Sequence, residues 1–143
     1  MKIFIKNYTI IILYLLFLSC GTKETIWGKK DIANENAIII EHGGQLREYV
    51  IYIPDTYDST QSTPLVMSFH GGSGSATGQM LMTNMPAIAD TVGFLIVFPQ
   101  GALSNGVSHW NSMLFTEGNK SEIDDIGFIE TLIDTLENNY NID

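Results

Sequence analysis

The sequence predicts an α/β fold, with an antiparallel hairpin leading into a parallel sheet flanked by helices, and three observations carry that reading. Two nearly unbroken apolar runs, Leu65–Phe69 and Phe94–Phe98, have the composition of strands buried on both faces. Between them lies a helical segment from Pro86 to Val92, with proline in the first turn and Gly93 just past the end. A longer segment, about Asp125 to Tyr140, repeats Ile126, Ile129, Ile133, Leu136 and Tyr140 at three-and-four spacing, the stripe of a helix lying on a sheet.

Taken in order, residues 1–19 have the form of a signal peptide. Lys2 and Lys6 precede an apolar run from Tyr8 to Leu18 that is shorter than the ~20 residues a membrane-spanning helix needs. Cys20, the single cysteine, follows Leu18-Ser19 and resembles the lipid-attachment cysteine of bacterial lipoproteins, with Phe17 where that motif usually has leucine. The alternative is an ordinary cleavage site beside an incidental thiol. A lone cysteine can form no internal disulfide, which favours lipidation and a location at the bacterial cell envelope or surface over simple secretion. Residues 20–36 are polar and aperiodic, as expected of a tether, with Trp27 the exception.

The folded part is expected over 37–143. Ala37–Ile40 and Arg47–Ile53 are β-prone runs separated by His42-Gly43-Gly44-Gln45, whose glycines suit a tight turn. Pro54-Asp55 ends the second run, and the βαβ unit described above follows. Ser121, Asp124 and Asp125 stand at the start of the last helix, where they are expected as caps. That helix is expected to want a further partner beyond Asp143, and the isolated chain to be poorly stable for lack of it.

Composition narrows the function. The chain carries 16 acidic against 7 basic residues, net −9, and removal of residues 1–19 makes it −11. That sign disfavours nucleic acid and an anionic membrane face as partners, which leaves membrane contact to a lipid at Cys20. No metal site is expected. Asp124 and Asp125 could be imagined as calcium ligands or as an acid and base pair, but the further oxygen donors such a site needs do not show in the spacing.

The chemistry concentrates in His70-Gly71-Gly72-Ser73-Gly74, directly after the first buried run. Glycines there let the backbone turn and present N–H groups to an anion, the requirement of an oxyanion hole. A flexible glycine loop or a phosphate-binding turn would have the same composition.

The surrounding motifs decide between these. Arg47-Glu48-Tyr49, Pro54-Asp55-Thr56-Tyr57-Asp58, Pro64-Leu65-Val66, His70-Gly71-Gly72, Gly93-Phe94 leading to Phe98-Pro99, Trp110-Asn111, and Asp124-Asp125-Ile126-Gly127-Phe128-Ile129 occur in that order. The chain thereby resembles the polyhydroxybutyrate depolymerase and feruloyl esterase group of α/β-hydrolases, over Arg47 to Asp143. The resemblance implies the N-terminal half of an α/β-hydrolase domain, ending before the strand that carries the nucleophile elbow.

It implies a carboxylic ester hydrolase with an acyl-serine intermediate, acting on feruloyl or acetyl esters of polysaccharide or on polyester, with no cofactor. The oxyanion-hole loop would be Gly71, Gly72 and Ser73, and the substrate cleft would include His70, His109, Trp110 and Asn111. The nucleophile, acid and base would all follow Asp143, so this chain by itself is expected to be inactive.

Several residues have plainer readings. Gly72-Ser73-Gly74-Ser75-Ala76 evokes a nucleophile elbow but lacks its last glycine, so neither serine is expected to attack. His42 fits a hairpin turn, His70 a brace for its loop, and His109 either a cleft residue or an aromatic packed on the core. The alternative to an esterase is a non-catalytic surface lipoprotein or binding module on the same half-fold, since fold does not dictate function.

Overall fold

The computed structural model describes residues 37–111 and 122–143. The signal segment, Cys20, the tether with Trp27, and Ser121 lie outside the described residues. Among those described, no helix is long and apolar enough to cross a membrane.

The chain opens with β1 (Ala37–His42) and β2 (Gln45–Tyr52), paired antiparallel from Ala37↔Val50 to His42↔Gln45. Gly43 and Gly44 make the turn at φ 58° and 75°, values that only glycine adopts freely. Next come β3 (Leu65–Met67), α1 (Ala76–Met82), α2 (Met85–Val92) and β4 (Leu95–Pro99). A short hairpin, β5 (Ala102–Ser104) and β6 (Val107–His109), precedes the last helix, α3 (Asp125–Asn139).

The main sheet runs β1-β2-β4-β3, antiparallel between β2 and β4 and parallel between β4 and β3. On the outer side of β3, Thr63 bridges Ile142 in parallel, with Thr63 N–H donating to Asn141 O and Asp143 N–H to Thr63 O.

Alternation along the central strands sorts the core onto two faces. Val50, Ile96 and Phe98 pack with Ala76, Met80, Ala89 and Phe94 beneath α1 and α2. Tyr49 and Val97 pack with Phe128, Leu132 and Leu136 of α3 on the other face. β4 is buried at every residue because it is flanked by strands and covered by both helical layers.

Two sequence expectations change here. β3 is short and only partly buried, and Phe69 lies beyond it at 44% exposure, because among the described residues β3 has β4 on one side and the Thr63–Ile142 bridge on the other. The helix stripe is rotated: α3 buries Asp125, Phe128, Leu132 and Leu136, while Ile126 is 49% exposed and Ile129 and Ile133 lie at the flank. Apolar residues cover more than one face of this helix, and Phe128, Leu132 and Leu136 take the sheet. As a helix expected to lie on a sheet, α3 fills the layer over Tyr49 and Val97.

Sequence reading overlooked α1 and the β5–β6 hairpin. Seven residues containing Gly78 give α1 little intrinsic propensity, and its start rests on Ser75, whose hydroxyl accepts from Gly78 N–H at 3.0 Å. The hairpin did have a signal in Asn105-Gly106, which adopt φ 53° and 78° as a two-residue hairpin turn requires.

Candidate functional site

The glycine loop leaves the end of β3 and is held from below by His70. This side chain is buried; its Nδ1–H donates to Gly71 O at 2.7 Å, and its Nε2 accepts from Gly101 N–H at 2.9 Å. Those two bonds fix a neutral tautomer with both nitrogens occupied. His70 therefore sits under the loop and braces it.

The next residues are fastened to the small hairpin. Ser73 N–H donates to Ser108 O at 2.8 Å, Gly74 N–H to Gly71 O at 3.0 Å, and the Ser108 hydroxyl to Gly74 O. Gln100 joins the loop to α1: its Oε1 accepts from Ala76 N–H at 2.8 Å while its Nε2 donates to Gly101 O. Trp110 adds a third support through Nε1–H to His70 O at 3.0 Å, with its ring edge-on to Phe69. Gln100 and Ser108 had no sequence signal, because their roles depend on which carbonyl and amide the fold sets opposite them.

With the loop fixed this way, its free donors are identifiable. The amides of Gly71 and Gly72 have no hydrogen-bond partner among the described residues, and both glycines are exposed. Ser73 is excluded from an oxyanion hole, because its N–H is spent on Ser108. The candidate donor pair is thus Gly71 and Gly72.

The glycines also differ in why they are glycine. A Cβ on Gly74 would meet Gly71 O at 2.9 Å, and one on Gly101 would meet His109 O at 2.7 Å, so close packing demands them. A Cβ on Gly71 or Gly72 would meet nothing within 4 Å, and neither has positive φ. The left-handed position is Ser73, at φ 63°. Nothing inside the described fold needs glycine at 71 or 72, which leaves the space above those two amides open to something that approaches the backbone.

The remaining predicted cleft residues separate. Trp110 and Asn111 line an open apolar groove of about 410 Å³ with Phe69, Ile126 and Ile129. His109 lines a different pocket of about 340 Å³, together with Gly72 and Ser73.

Beneath the groove lies an ion pair that sequence reading missed. Arg47 on β2 donates to Asp125 Oδ1 at 2.6 Å, with both side chains nearly inaccessible to water, and the guanidinium sits 3.9 Å above the Phe128 ring. The second oxygen, Oδ2, accepts from Asn111 N–H at 2.6 Å. Asp125 is therefore no cap. It ties the hairpin, α3 and the Trp110-Asn111 segment to one carboxylate.

Asp124 is the cap, accepting from Gly127 N–H at 2.9 Å. His42 does more than turn the chain, since its Nε2 contacts Asp124 Oδ2 at 3.2 Å and its Nδ1 meets Thr131 Oγ1 at 2.9 Å. Hydroxyl, imidazole and carboxylate here stand in triad order, but Thr131 directs its hydrogen to Gly127 O at 2.9 Å within the helix. A hydroxyl so committed is a helix contact and not a nucleophile.

The Gly127 amide first, and His42 second, hold the Asp124 carboxyl below the usual carboxylate range. A depressed folded pKa gives stability that is present above the unfolded value and lost as pH falls through the folded one. Asp124→Asn is therefore expected to lower the urea midpoint at pH values above the ordinary carboxylate range and to converge with the native chain as pH falls through the folded pKa. A constant difference across that window would contradict the assignment.

Among the described residues, no group of three or more His, Cys, Asp or Glu side chains could hold a metal ion.

No family model matches the chain. Over 100 residues, 70% of its length, it is 30% identical to a bifunctional acetylxylan esterase/xylanase of Neocallimastix patriciarum, and it spans 13% of that protein. Among solved structures it is similar to a thermostable esterase, with a TM-score of 0.50 and 20% identity, covering 75% of this chain and 31% of that one. At that identity the structural likeness speaks for the fold alone. Sequence and fold together support an esterase-type, α/β-hydrolase-like relationship for this chain.

Proposed function

We propose that this chain supplies the oxyanion-binding part of an exported carboxylic ester hydrolase acting on acylated polysaccharide, of the feruloyl or acetyl esterase kind. Polyester depolymerisation by the same chemistry is the neighbouring possibility within that class. The observation that carries the reading is the pair of exposed, unpartnered amides at Gly71 and Gly72, on a loop otherwise fastened at His70, Ser73 and Gly74. Donors held in place before charge develops cost no reorganisation when it does, which is the physical basis of oxyanion stabilisation.

In the proposed reaction a serine hydroxyl, supplied from outside the described residues, adds to the ester carbonyl carbon and passes its proton to a histidine. The carbonyl oxygen becomes an oxyanion and accepts hydrogen bonds from the two amides. Collapse breaks the bond to the alcohol oxygen, which leaves with that proton, and water then hydrolyses the acyl-serine.

Ser75 does not serve as the nucleophile, because its hydroxyl caps α1, and Ser108 does not, because its hydroxyl is bonded to Gly74 O. The apolar segment behind Lys2 and Lys6, with Cys20 at its end, supports export and lipid anchoring at the cell envelope.

The test is hydrolysis of an aryl acetate and of acetylated xylan by the protein that carries this segment in full. Gly72→Pro deletes one N–H and is expected to lower kcat by about 10²–10³-fold. Gly72→Ala keeps that N–H and should retain far more of kcat, with its cost falling on KM as the new methyl crowds the open space. Equal kcat in native and Gly72→Pro enzyme, with the fold intact by circular dichroism, would refute the role of this amide.

A further inference from the structure

We propose that the pocket between the glycine loop and the β5–β6 hairpin is a subsite for a neutral, hydroxyl-rich group, the saccharide side of the ester. This inference rests on the esterase reading above. Three observations of different kinds meet in this one cavity of about 340 Å³.

The first is position. Gly72, whose amide is free, lies in the pocket wall, so a ligand there borders the proposed oxyanion site.

The second is His109. Both ring nitrogens are shielded from water and have no hydrogen-bond partner among the described residues. A buried ring without partners forfeits hydrogen bonds it would make in water, and a native fold retains such a group where something else satisfies it. A neutral imidazole offers one donor and one acceptor, and a hydroxyl group is both. The residue is only partly covered and lines this pocket.

The third is strain. Ser73 is held at φ 63°, where a non-glycine residue is costly, although glycine stands on either side of it at 72 and 74. Its amide bond to Ser108 O locks that conformation, and its side chain is exposed on the pocket rim. Asn105, also at positive φ, faces it from the hairpin turn.

The lining sets the ligand class. Among the described residues it includes Ser73, Asn105, Val107 and His109 and contains no Asp, Glu, Lys or Arg. Neutral donors and acceptors beside an apolar patch suit a sugar, which presents hydroxyls at its edge and C–H groups on its face, and would leave a charged ligand without a counter-charge. The groove beside Trp110 has the opposite character and offers nothing to hydroxyls beyond its rim.

The experiment is a titration of the whole ¹⁵N-labelled chain with xylotriose. Saturable shifts are expected at the amides of Gly72, Ser73, Asn105 and His109, while the C-terminal half of α3 stays unmoved. His109→Phe keeps the ring and removes its nitrogens, and Asn105→Gly keeps the turn and removes its amide; each is expected to weaken binding by roughly fivefold or more. The proposal is overturned by no saturable shift up to about 50 mM, or by unchanged affinity in both variants. Ester hydrolysis sensitive to Gly72→Pro, without xylotriose binding here, would remove the subsite and leave the esterase reading standing. Binding with no ester hydrolysis by the full protein would do the reverse.

Discussion

Arg47→Met is expected to destabilise the chain by about 3–5 kcal/mol, the cost of stranding one half of a buried ion pair. In the native fold Asp125 divides its oxygens between the Arg47 guanidinium and the Asn111 amide, and neither charged side chain reaches water. Without Arg47 the carboxylate keeps, among the described residues, the neutral Asn111 N–H as its donor. Asp125→Asn strands the other partner, leaving the guanidinium to a 3.3 Å contact with Gln100 O and the Phe128 ring.

The double variant Arg47→Met/Asp125→Leu should recover most of the loss, because an apolar pair of similar volume carries no desolvation penalty. Asn111 N–H would lose its Asp125 acceptor in it, so recovery should be incomplete. Urea denaturation of the two single variants and the double variant measures all three. Single losses below about 1 kcal/mol would mean the pair is solvated and holds nothing together.

Phe128→Ala is expected to cost a further about 3–5 kcal/mol by a different route. The ring is fully buried against Tyr49 and Val97, so its loss opens a cavity in the layer between α3 and the sheet. It also removes the surface on which the guanidinium rests. Phe128→Leu narrows the comparison, since it retains most of the burial and removes the cation–π contact, worth about 0.5–2 kcal/mol. In an Arg47→Met background the leucine penalty should shrink by that amount and leave the packing cost, which a double-mutant cycle reads directly. A leucine penalty of the same size with and without Arg47 would show that the contact contributes no energy of its own.

The α/β class, the Gly43-Gly44 hairpin, β4 and the ends of α2 and α3 were legible in the sequence. Each rests on information carried by neighbours in the chain: alternation, three-and-four spacing, and residues that permit or forbid particular φ values. The glycine loop was legible as a donor-rich turn for the same reason.

Which donors it offers was not. Ser73 loses its amide to Ser108, 35 positions away, and His70 loses its ring to Gly71 and Gly101. Only the folded chain sets these groups opposite one another. Asp125 shows the same division: beside Asp124 it looks like a second cap, and only the approach of β2 turns it into the buried partner of Arg47. Local pattern fixes backbone conformation because that choice is made within a few residues. Hydrogen-bond and charge partners are assigned by desolvation, when segments far apart in sequence exclude water from between them.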